Sequence, residues 1–341
     1  MDAVSCRAVS RMERKLNLSL TAGIFCGWVG FFALIASPLA YPQQYPLRPV
    51  RIIVPTAPGG GADLVGRVLA QKLTRTFGQS FVVDNRGGAG TTLGTDLAAK
   101  SPADGHTLVL EHVSFAFNVS YYRHLPYDTR RDFAPIALVA SQPYIVVVHP
   151  SLPVKSVAEL LALARARPAS IAYSSGGPGS GPFMGAELIK SMTHIQLLHV
   201  PYRGAGLAFT DLISGQVQMM VATVSLALPH IRAGRVRALA ATSAKRIATM
   251  PELPTMSESG VRGFDFSTWY GLLAPAGTPR PIVGRLSDEI ARIVDDPEIR
   301  ERFAGDGIEP MYSSAEAFVA FLARDVEKWA KVVKAAGLRA D

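Results

Sequence analysis

Apolar and polar positions follow two different periods along the chain, and together they predict alternating strands and helices. Short apolar runs rich in β-branched residues are typical of buried strands. They occur at Ile52–Val54, Phe81–Val83, Thr107–Leu110, Tyr144–Val148, Val217–Val221 and Val236–Ala241. Between the first two runs, apolar residues recur at helical spacing: Leu64, Val65, Val68, Leu69 and Leu73. This alternation predicts an α/β fold.

Later segments predict helices with recognisable ends, so that the last third of the chain is expected to be mostly helical. Ser156 and Glu159 have the spacing of a capping box, which predicts a helix start. A long final helix is predicted over about Ala315–Ala336, and Ser313 with Glu316 is its expected capping pair.

Two glycine-rich loops of matching design each stand between a predicted strand and a predicted helix. The first covers residues 56–63 and the second covers residues 174–181. A loop in that context presents free backbone N–H groups and the positive end of a helix dipole. The pair therefore predicts a cleft between two lobes that holds a carboxylate from both sides.

The N-terminus predicts export. Four basic residues between positions 7 and 15 precede a nearly uncharged stretch over residues 16–36, and small residues follow. This pattern is that of a secretory signal over residues 1–40, cleaved near Ala40. An uncleaved anchor is the alternative, because the apolar run is long and Pro38 fits the cleavage site poorly. Both Cys6 and Cys26 fall in this segment, so the mature protein is expected to lack disulfides, catalytic thiols and cysteine-bound metal.

Chain length and net charge further restrict the class of protein to which this sequence could belong. A chain of 341 residues is long enough for two domains, and its 48% hydrophobic and 18% charged residues describe a globular protein. The formal net charge is +8, and without residues 1–40 the balance is 31 basic minus 25 acidic residues, or +6. This excess is spread along the mature chain without a basic block, which does not favour nucleic-acid binding. The seven histidines have no metal-ligand spacing, so neither a metal nor a cofactor is expected.

Neither loop carries a catalytic or nucleotide-binding fingerprint. Leu64 stands where G-x-G-x-x-G needs its last glycine, and no Walker lysine follows. Serines in the second loop suggest a nucleophile, but Pro178 and Pro182 flank Ser180 where a nucleophile elbow has glycines. Asp63 is expected to cap the helix N–H groups two and three residues further on. The sequence therefore predicts a protein that is not an enzyme.

Several aromatic residues are candidates for cleft walls, with plain core packing as the alternative for each. They are Phe115, Phe117, Tyr121, Tyr202, Trp269 and Tyr270.

Ordered landmarks run through nearly the whole mature chain. They include PGGGAD at Pro58–Asp63, DNRGGAG at Asp84–Gly90, LPYDTRRDFAPI at Leu125–Ile136, HPSLPVKSVAEL at His149–Leu160, HVPYRGAG at His199–Gly206 and GLLAPAGTP at Gly271–Pro279. With these motifs the chain resembles the Bug family, the extracytoplasmic substrate-binding proteins of tripartite tricarboxylate transporters. The resemblance implies a monomeric, two-lobed periplasmic binding protein of the type 2-like, Venus-flytrap kind. One lobe would combine residues 45–145 and 243–341, and the other would span residues 146–242.

The resemblance also implies a function and a site. Family members bind small organic acids and deliver them to membrane permease subunits; an orphan periplasmic sensor or scavenger is the alternative, and a serine-dependent hydrolase is a more distant one. The implied ligand-binding residues are Thr56, Ala57, Gly59, Gly60, Ala62, Asp63, Ser174, Ser175, Gly177, Gly179, Ser180 and Ala222.

Three departures from the family pattern bear on the ligand. Thr56 stands where the family usually has phenylalanine, Phe183 where histidine is common, and residues 221–223 replace Phe-Asp-Asn. The alanine at position 222 removes an aspartate that could bind an amino group, so an amino-acid ligand is disfavoured. A more apolar pocket favours an aromatic or longer-chain monocarboxylate over citrate.

Overall fold

The computed structural model describes residues 45–339, and the signal sequence predicted over residues 1–40 lies outside them. The strands are β1 (Val50–Val54), β2 (Phe81–Asn85), β3 (Thr107–His112), β4 (Phe133–Val148), β5 (Ala172–Ser175), β6 (Leu198–Pro201), β7 (Met219–Thr223), β8 (Arg237–Ala241), β9 (Ser267–Pro275) and β10 (Glu309–Ser313). The helices are α1 (Gly61–Phe77), α2 (Thr92–Ala99), α3 (Ser114–Tyr121), α4 (Val157–Ala166), α5 (Gly181–Thr193), α6 (Ala205–Ile213), α7 (Val224–Arg232), α8 (Arg280–Asp295), α9 (Pro297–Gly305) and α10 (Ala315–Ala335).

One mixed sheet connects these strands in the order β2-β1-β3-β9-β4-β7-β5-β6, with β8 and β10 also paired to β4. Parallel pairing joins β1 to β2 and β3 on one side, and β5 to β6 and β7 on the other. Between these sets, β4 and β9 run antiparallel. The first part of β4 pairs with β9, whereas its last part pairs with β7 and β8. This one long strand therefore continues through both halves of the sheet.

Helices cover the sheet and bury apolar side chains against it. In α10, Trp329 is 1% exposed and meets the rings of Phe117 and Phe266 edge-on, with ring centroids 5.8 and 5.6 Å apart. Such aromatic contacts add to the large apolar area that a buried tryptophan removes from water. Among residues 45–339, no helix has both the length and the apolar composition needed to cross a bilayer.

The predicted helix ends are correct for one helix and shifted for another. Ser156 accepts a hydrogen bond from the Glu159 N–H at 3.2 Å, so the predicted start of α4 at this serine cap is confirmed. The Glu159 side chain accepts from the Lys155 N–H at 2.6 Å, one residue before the partner that a capping box has. The expected pair of Ser313 and Glu316 at the final helix is wrong by one residue. Ser313 is still the last residue of β10, and Ser314 is the cap that accepts from the Ala317 N–H.

The last third of the chain is not as helical as its sequence suggested. Besides the predicted strand β8, two strands that were not predicted, β9 and β10, lie there. Earlier in the chain, β4 also differs from its prediction, because it begins at Phe133 and not at Tyr144. Strand β9 was not predicted because it contains a glycine and a proline, which are uncommon within strands. Packing explains why residue 271 is glycine. A Cβ at that position would overlap the ring of Phe318 from α10, so only glycine lets the helix approach the strand this closely.

Candidate functional site

A cleft opens at the carboxyl ends of the parallel strands, where ligands of α/β proteins usually bind. The centres of water-sized molecules can occupy about 80 Å³ of it, well above the roughly 10–15 Å³ that a cavity needs to hold one water. The lining combines residues 55–57, 60–62, 87–88, 91, 112, 144, 176, 180–182, 204–206, 223, 226, 268 and 270. Both predicted glycine loops therefore contribute to one cleft.

In the described part of the chain, five helices, and not only the two predicted ones, have their N-termini at this cleft. The N-cap residues of α1, α2, α5, α6 and α7 all line it: Gly60, Thr91, Ser180, Gly204 and Thr223. None of these five accepts a side-chain capping bond from its helix. The N–H groups of a helix's first turn have no partner within the helix. They therefore remain available to a group in the cleft, and the five helix dipoles make it electropositive.

Among residues 45–339, no lysine, arginine, aspartate or glutamate belongs to the lining. The positive potential therefore comes from backbone dipoles instead of cationic side chains. Such an arrangement favours an anion, because oriented N–H groups both donate hydrogen bonds to it and stabilise its charge.

Two tyrosines of the central strands support the two predicted loops in the same way. Gly61, the first residue of α1, packs on the Tyr270 hydroxyl of β9, and Gly181, the first residue of α5, packs on the Tyr144 hydroxyl of β4. A Cβ at either glycine would overlap the tyrosine oxygen. The Tyr270 hydroxyl donates to Gln142 Oε1 at 2.7 Å. Burial raises the pKa of both phenols, so both remain neutral.

Asp63 supports the first loop from behind and does not line the cleft. Its carboxylate accepts from the Gly59 N–H at 3.0 Å and pairs with Arg67 at 3.0 Å. Burial raises its pKa, but the hydrogen bonds from Arg67 and Gly59 outweigh this effect and lower the pKa overall. The expectation that Asp63 caps N–H groups further along the helix is wrong. The N-cap is Gly60, and Asp63 reaches back from the third helical position.

The predicted residues of the second loop divide between lining and support. Ser180 lines the cleft, and its hydroxyl donates to Gly177 O at 2.6 Å. Ser174 is fully buried and donates to Ala208 O, away from the cleft. Ser175, also fully buried, contacts His199 Nε2 at 2.7 Å and accepts from the Gly177 N–H.

The other predicted positions shape the backbone. Gly59, Gly177 and Gly179 have φ of +88°, +99° and +82°, a region that favours glycine. Ala222 is wholly buried in β7, and its neighbour Thr223 reaches the cleft instead. Thr56, Ala57, Gly60 and Ala62 lie in the lining.

Of the six aromatic candidates, only Tyr270 reaches the cleft. Tyr202 donates its hydroxyl to Asp211 at 2.6 Å. The remaining four are buried in the apolar core: Phe115, Phe117, Tyr121 and Trp269.

The sequence pattern did not predict that the N-termini of α2, α6 and α7 line the cleft, nor that several side chains do. The signal was present at residues 87–91 and 204–206, where glycines again follow a strand and precede a helix. The side chains that were missed include His112, at the end of β3, and Thr91, at the start of α2. Polar atoms of Thr56, Thr91 and His112 are buried without a hydrogen-bond partner in the part of the chain that the structure describes.

The described residues form no recognisable metal site. Over residues 45–339, histidine, cysteine, aspartate and glutamate side chains form no group of three or more that could hold a metal ion.

Solved structures share this fold over most of the chain. Rpa4515 of R. palustris, determined with adipate, has a TM-score of 0.84 and 35% identity, covering 86% of this chain and 99% of that one. The periplasmic binding protein BugD has the same TM-score and identity, with 87% and 100% covered. MatC from Rhodopseudomonas palustris, with bound malate, has a TM-score of 0.81 and 30% identity, with 85% and 100% covered. The predicted α/β fold of a periplasmic binding protein is confirmed.

The family assignment follows from a second comparison. The family described as tripartite tricarboxylate transporter family receptor matches residues 65–338, which is most of the chain. This match and the identity with BugD confirm the resemblance to the Bug proteins, and the chain belongs to the receptor family of the tripartite tricarboxylate transporters.

Proposed function

We propose that this chain is a periplasmic solute-binding protein that captures a small organic acid and delivers it to a tripartite tricarboxylate-type permease. The observation that carries the proposal is the convergence of five helix N-termini, none with a side-chain cap, on a cleft without charged side chains. Thr91 and His112, 5% and 6% exposed, add unpartnered polar atoms to the same lining. Relatives solved with adipate and malate indicate the ligand class.

The available donors are sufficient for useful affinity. A hydrogen bond from a backbone N–H to a carboxylate contributes about 1.5–3 kcal/mol when water is excluded. Two to four such bonds reach micromolar dissociation constants after the costs of association and ordering are subtracted.

Closure of two lobes around the ligand is part of the proposal, with lobes at residues 45–145 plus 243–341 and at residues 146–242. Contacts across that boundary support it. The Tyr122 hydroxyl donates to Pro178 O at 3.1 Å and also lies 3.4 Å from Ala89 O. A second contact across the boundary joins Gly204 to Ala57, because a Cβ at Gly204 would meet the Ala57 side chain. A ligand that bridges these loops would favour the closed form over the open one.

Replacing Tyr122 with phenylalanine tests this closure. We expect ligand affinity to fall about three- to tenfold, mainly through faster release, because one hydrogen bond of about 1 kcal/mol across the boundary is lost. Stopped-flow release kinetics would measure the change. Tyr312→Phe, which removes a hydroxyl on β10 that contacts Ser287, should leave release unchanged. Equal release rates in Tyr122→Phe and the wild type would rule out this contact as a latch.

The geometry favours binding over hydrolysis. The Ser180 hydroxyl donates to a backbone carbonyl, and no histidine or carboxylate within the described residues is hydrogen-bonded to it. A serine nucleophile needs an adjacent base to remove its proton.

Thermal unfolding against a panel of acids tests the function. The protein is first unfolded and refolded to remove any bound solute, then heated with mono-, di- and tricarboxylates, aromatic acids and amino acids. An acid at 100 times its dissociation constant adds about 2.7 kcal/mol, which raises the midpoint by roughly 5 °C in a chain of this size. A shift confined to one class of acid is expected. No shift with any acid would refute the proposed function.

A further inference from the structure

The polar side chains that line the cleft fall into two groups. Most have partners within the protein: Ser180 with Gly177 O, Thr223 with Ser225, Thr268 with Trp269 O, Tyr270 with Gln142, and Tyr144 with Thr268. The other group has polar atoms without a partner among residues 45–339. It consists of Thr56 Oγ1, Thr91 Oγ1 and His112 Nε2. Thr56 follows β1, Thr91 precedes α2, and His112 is the last residue of β3.

His112 is held in a defined state. It is the last residue of β3, opposite Tyr270 of β9, and its side chain is buried. Its Nδ1 accepts from the Ser114 N–H at 3.4 Å, which assigns the ring proton to Nε2. Burial lowers the pKa of the ring to about 4, so the imidazole is neutral at neutral pH. His112 therefore brings to the lining of the cleft one N–H donor that has no partner among residues 45–339.

A buried donor without a partner lowers affinity for any ligand that fails to reach it. The backbone N–H groups at the helix ends and His112 Nε2 are all donors, and the threonine hydroxyls can donate as well. The lining contains no carboxylate that could accept from an ammonium group. The complementary ligand therefore carries acceptor oxygens at two places and no amine.

We propose that His112, with Thr56 and Thr91, forms a subsite for a second oxygen-bearing group of the ligand, and that His112 is its specificity-determining residue. The proposal rests on the proposed function and names its substrate class, a dicarboxylate. One carboxylate would occupy the helix N-termini, and the second group would accept from His112 Nε2. The sequence departures favoured a monocarboxylate, whereas these three buried polar atoms, which have no partner among residues 45–339, favour a second polar group.

Matched acids test the subsite by calorimetric titration of the refolded protein. Adipate is compared with hexanoate, and succinate with butanoate, since each pair shares its carbon number. We expect the wild type to prefer the dicarboxylate of the better-fitting pair by at least tenfold. His112→Phe, which keeps a flat ring and removes the donor, should weaken the dicarboxylate about 10- to 100-fold. It should change the monocarboxylate less than threefold. His112→Gln retains an N–H donor and should recover part of the loss.

His230 provides a matched control. Its Nδ1 is also buried without a partner among the described residues, but its ring packs on Phe209 and does not line the cleft. His230→Phe should therefore leave both acids unaffected. An equal loss for both acids in His112→Phe would show a structural role and overturn the subsite. Equal affinity of the wild-type protein for the two acids of each pair would also overturn the subsite. If no acid binds at all, the proposed function itself fails.

Discussion

Replacing Gly61 with alanine is expected to lower the free energy of unfolding by about 3 kcal/mol. The new Cβ would overlap the Tyr270 hydroxyl and Gln142 Oε1, both buried and hydrogen-bonded to each other. Overpacking of this kind costs about 1–3 kcal/mol, and disturbing a buried hydrogen bond adds about 1 kcal/mol or more. Urea unfolding of the wild type and the variant measures the difference. Affinity for the ligand should fall as well, because α1 must move away from the strand that supports it.

Two controls separate this overlap from a general effect of alanine. Gly284 lies in α8 with open space around its Cβ position, so Gly284→Ala should stabilise the protein by up to about 1 kcal/mol. Gly181→Ala should repeat the loss at the second loop, because its Cβ would overlap the Tyr144 hydroxyl. If Gly61→Ala is as stable as the wild type, the tyrosine does not fix the position of the loop.

These two glycines show what the sequence could and could not reveal. Strand, glycine loop and helix are adjacent in sequence, so both loops were predictable from local pattern alone. The tyrosines that require Gly61 and Gly181 lie on β9 and β4, far away in sequence. The antiparallel pairing that places them below the loops is a long-range contact, which a local pattern does not encode.

For the same reason, the polar side chains that line the cleft could not be predicted from the local sequence pattern. His112 ends a strand that reads as apolar, and only the pairing of β3 with β9 places it beside Tyr270. Thr91 has φ of +83° in a loop whose shape depends on Asn118, which donates to Gly90 O at 2.7 Å. The sequence therefore identified the backbone donors at two loops, while tertiary contacts determined the side chains opposite them.

Behind Thr91, a buried acid links pH to stability. Glu111 is fully buried, and its Oε1 lies 2.7 Å from Thr95 Oγ1, which in turn lies 3.1 Å from Thr91 O. The Thr95 hydroxyl has one proton and cannot donate to both oxygens. A protonated Glu111 resolves this conflict, because it donates to Thr95, which then donates to Thr91 O. Burial raises the pKa of Glu111 to about 8, although hydrogen bonds from Thr95 and the His112 N–H lower it in part.

We therefore expect stability to fall by about 1–1.5 kcal/mol as pH rises from 6.5 to 8, once the opposite contribution of His112 near pH 6.5 is subtracted. In the unfolded chain Glu111 loses its proton near pH 4.5, whereas in the folded protein it keeps it until about pH 8. The folded state thus binds one more proton in this window, and each pH unit costs about 1.4 kcal/mol. Below pH 6.5 the effect is offset by His112, whose pKa falls from 6.5 to about 4 on folding, so that there the unfolded state binds the extra proton.

Urea unfolding at pH 6.5, 7, 7.5 and 8 measures this decline, and Glu111→Gln should abolish it. The glutamine amide can still donate to Thr95 Oγ1, but it does not titrate, so the variant should be more stable than the wild type at pH 8. Glu258→Gln serves as the control. Hydrogen bonds from the Thr255 N–H and Arg246 lower the pKa of Glu258, so its removal should leave the decline between pH 6.5 and 8 in place. A decline that persists in Glu111→Gln would assign the titrating group elsewhere and leave Thr91 without this pH-sensitive support.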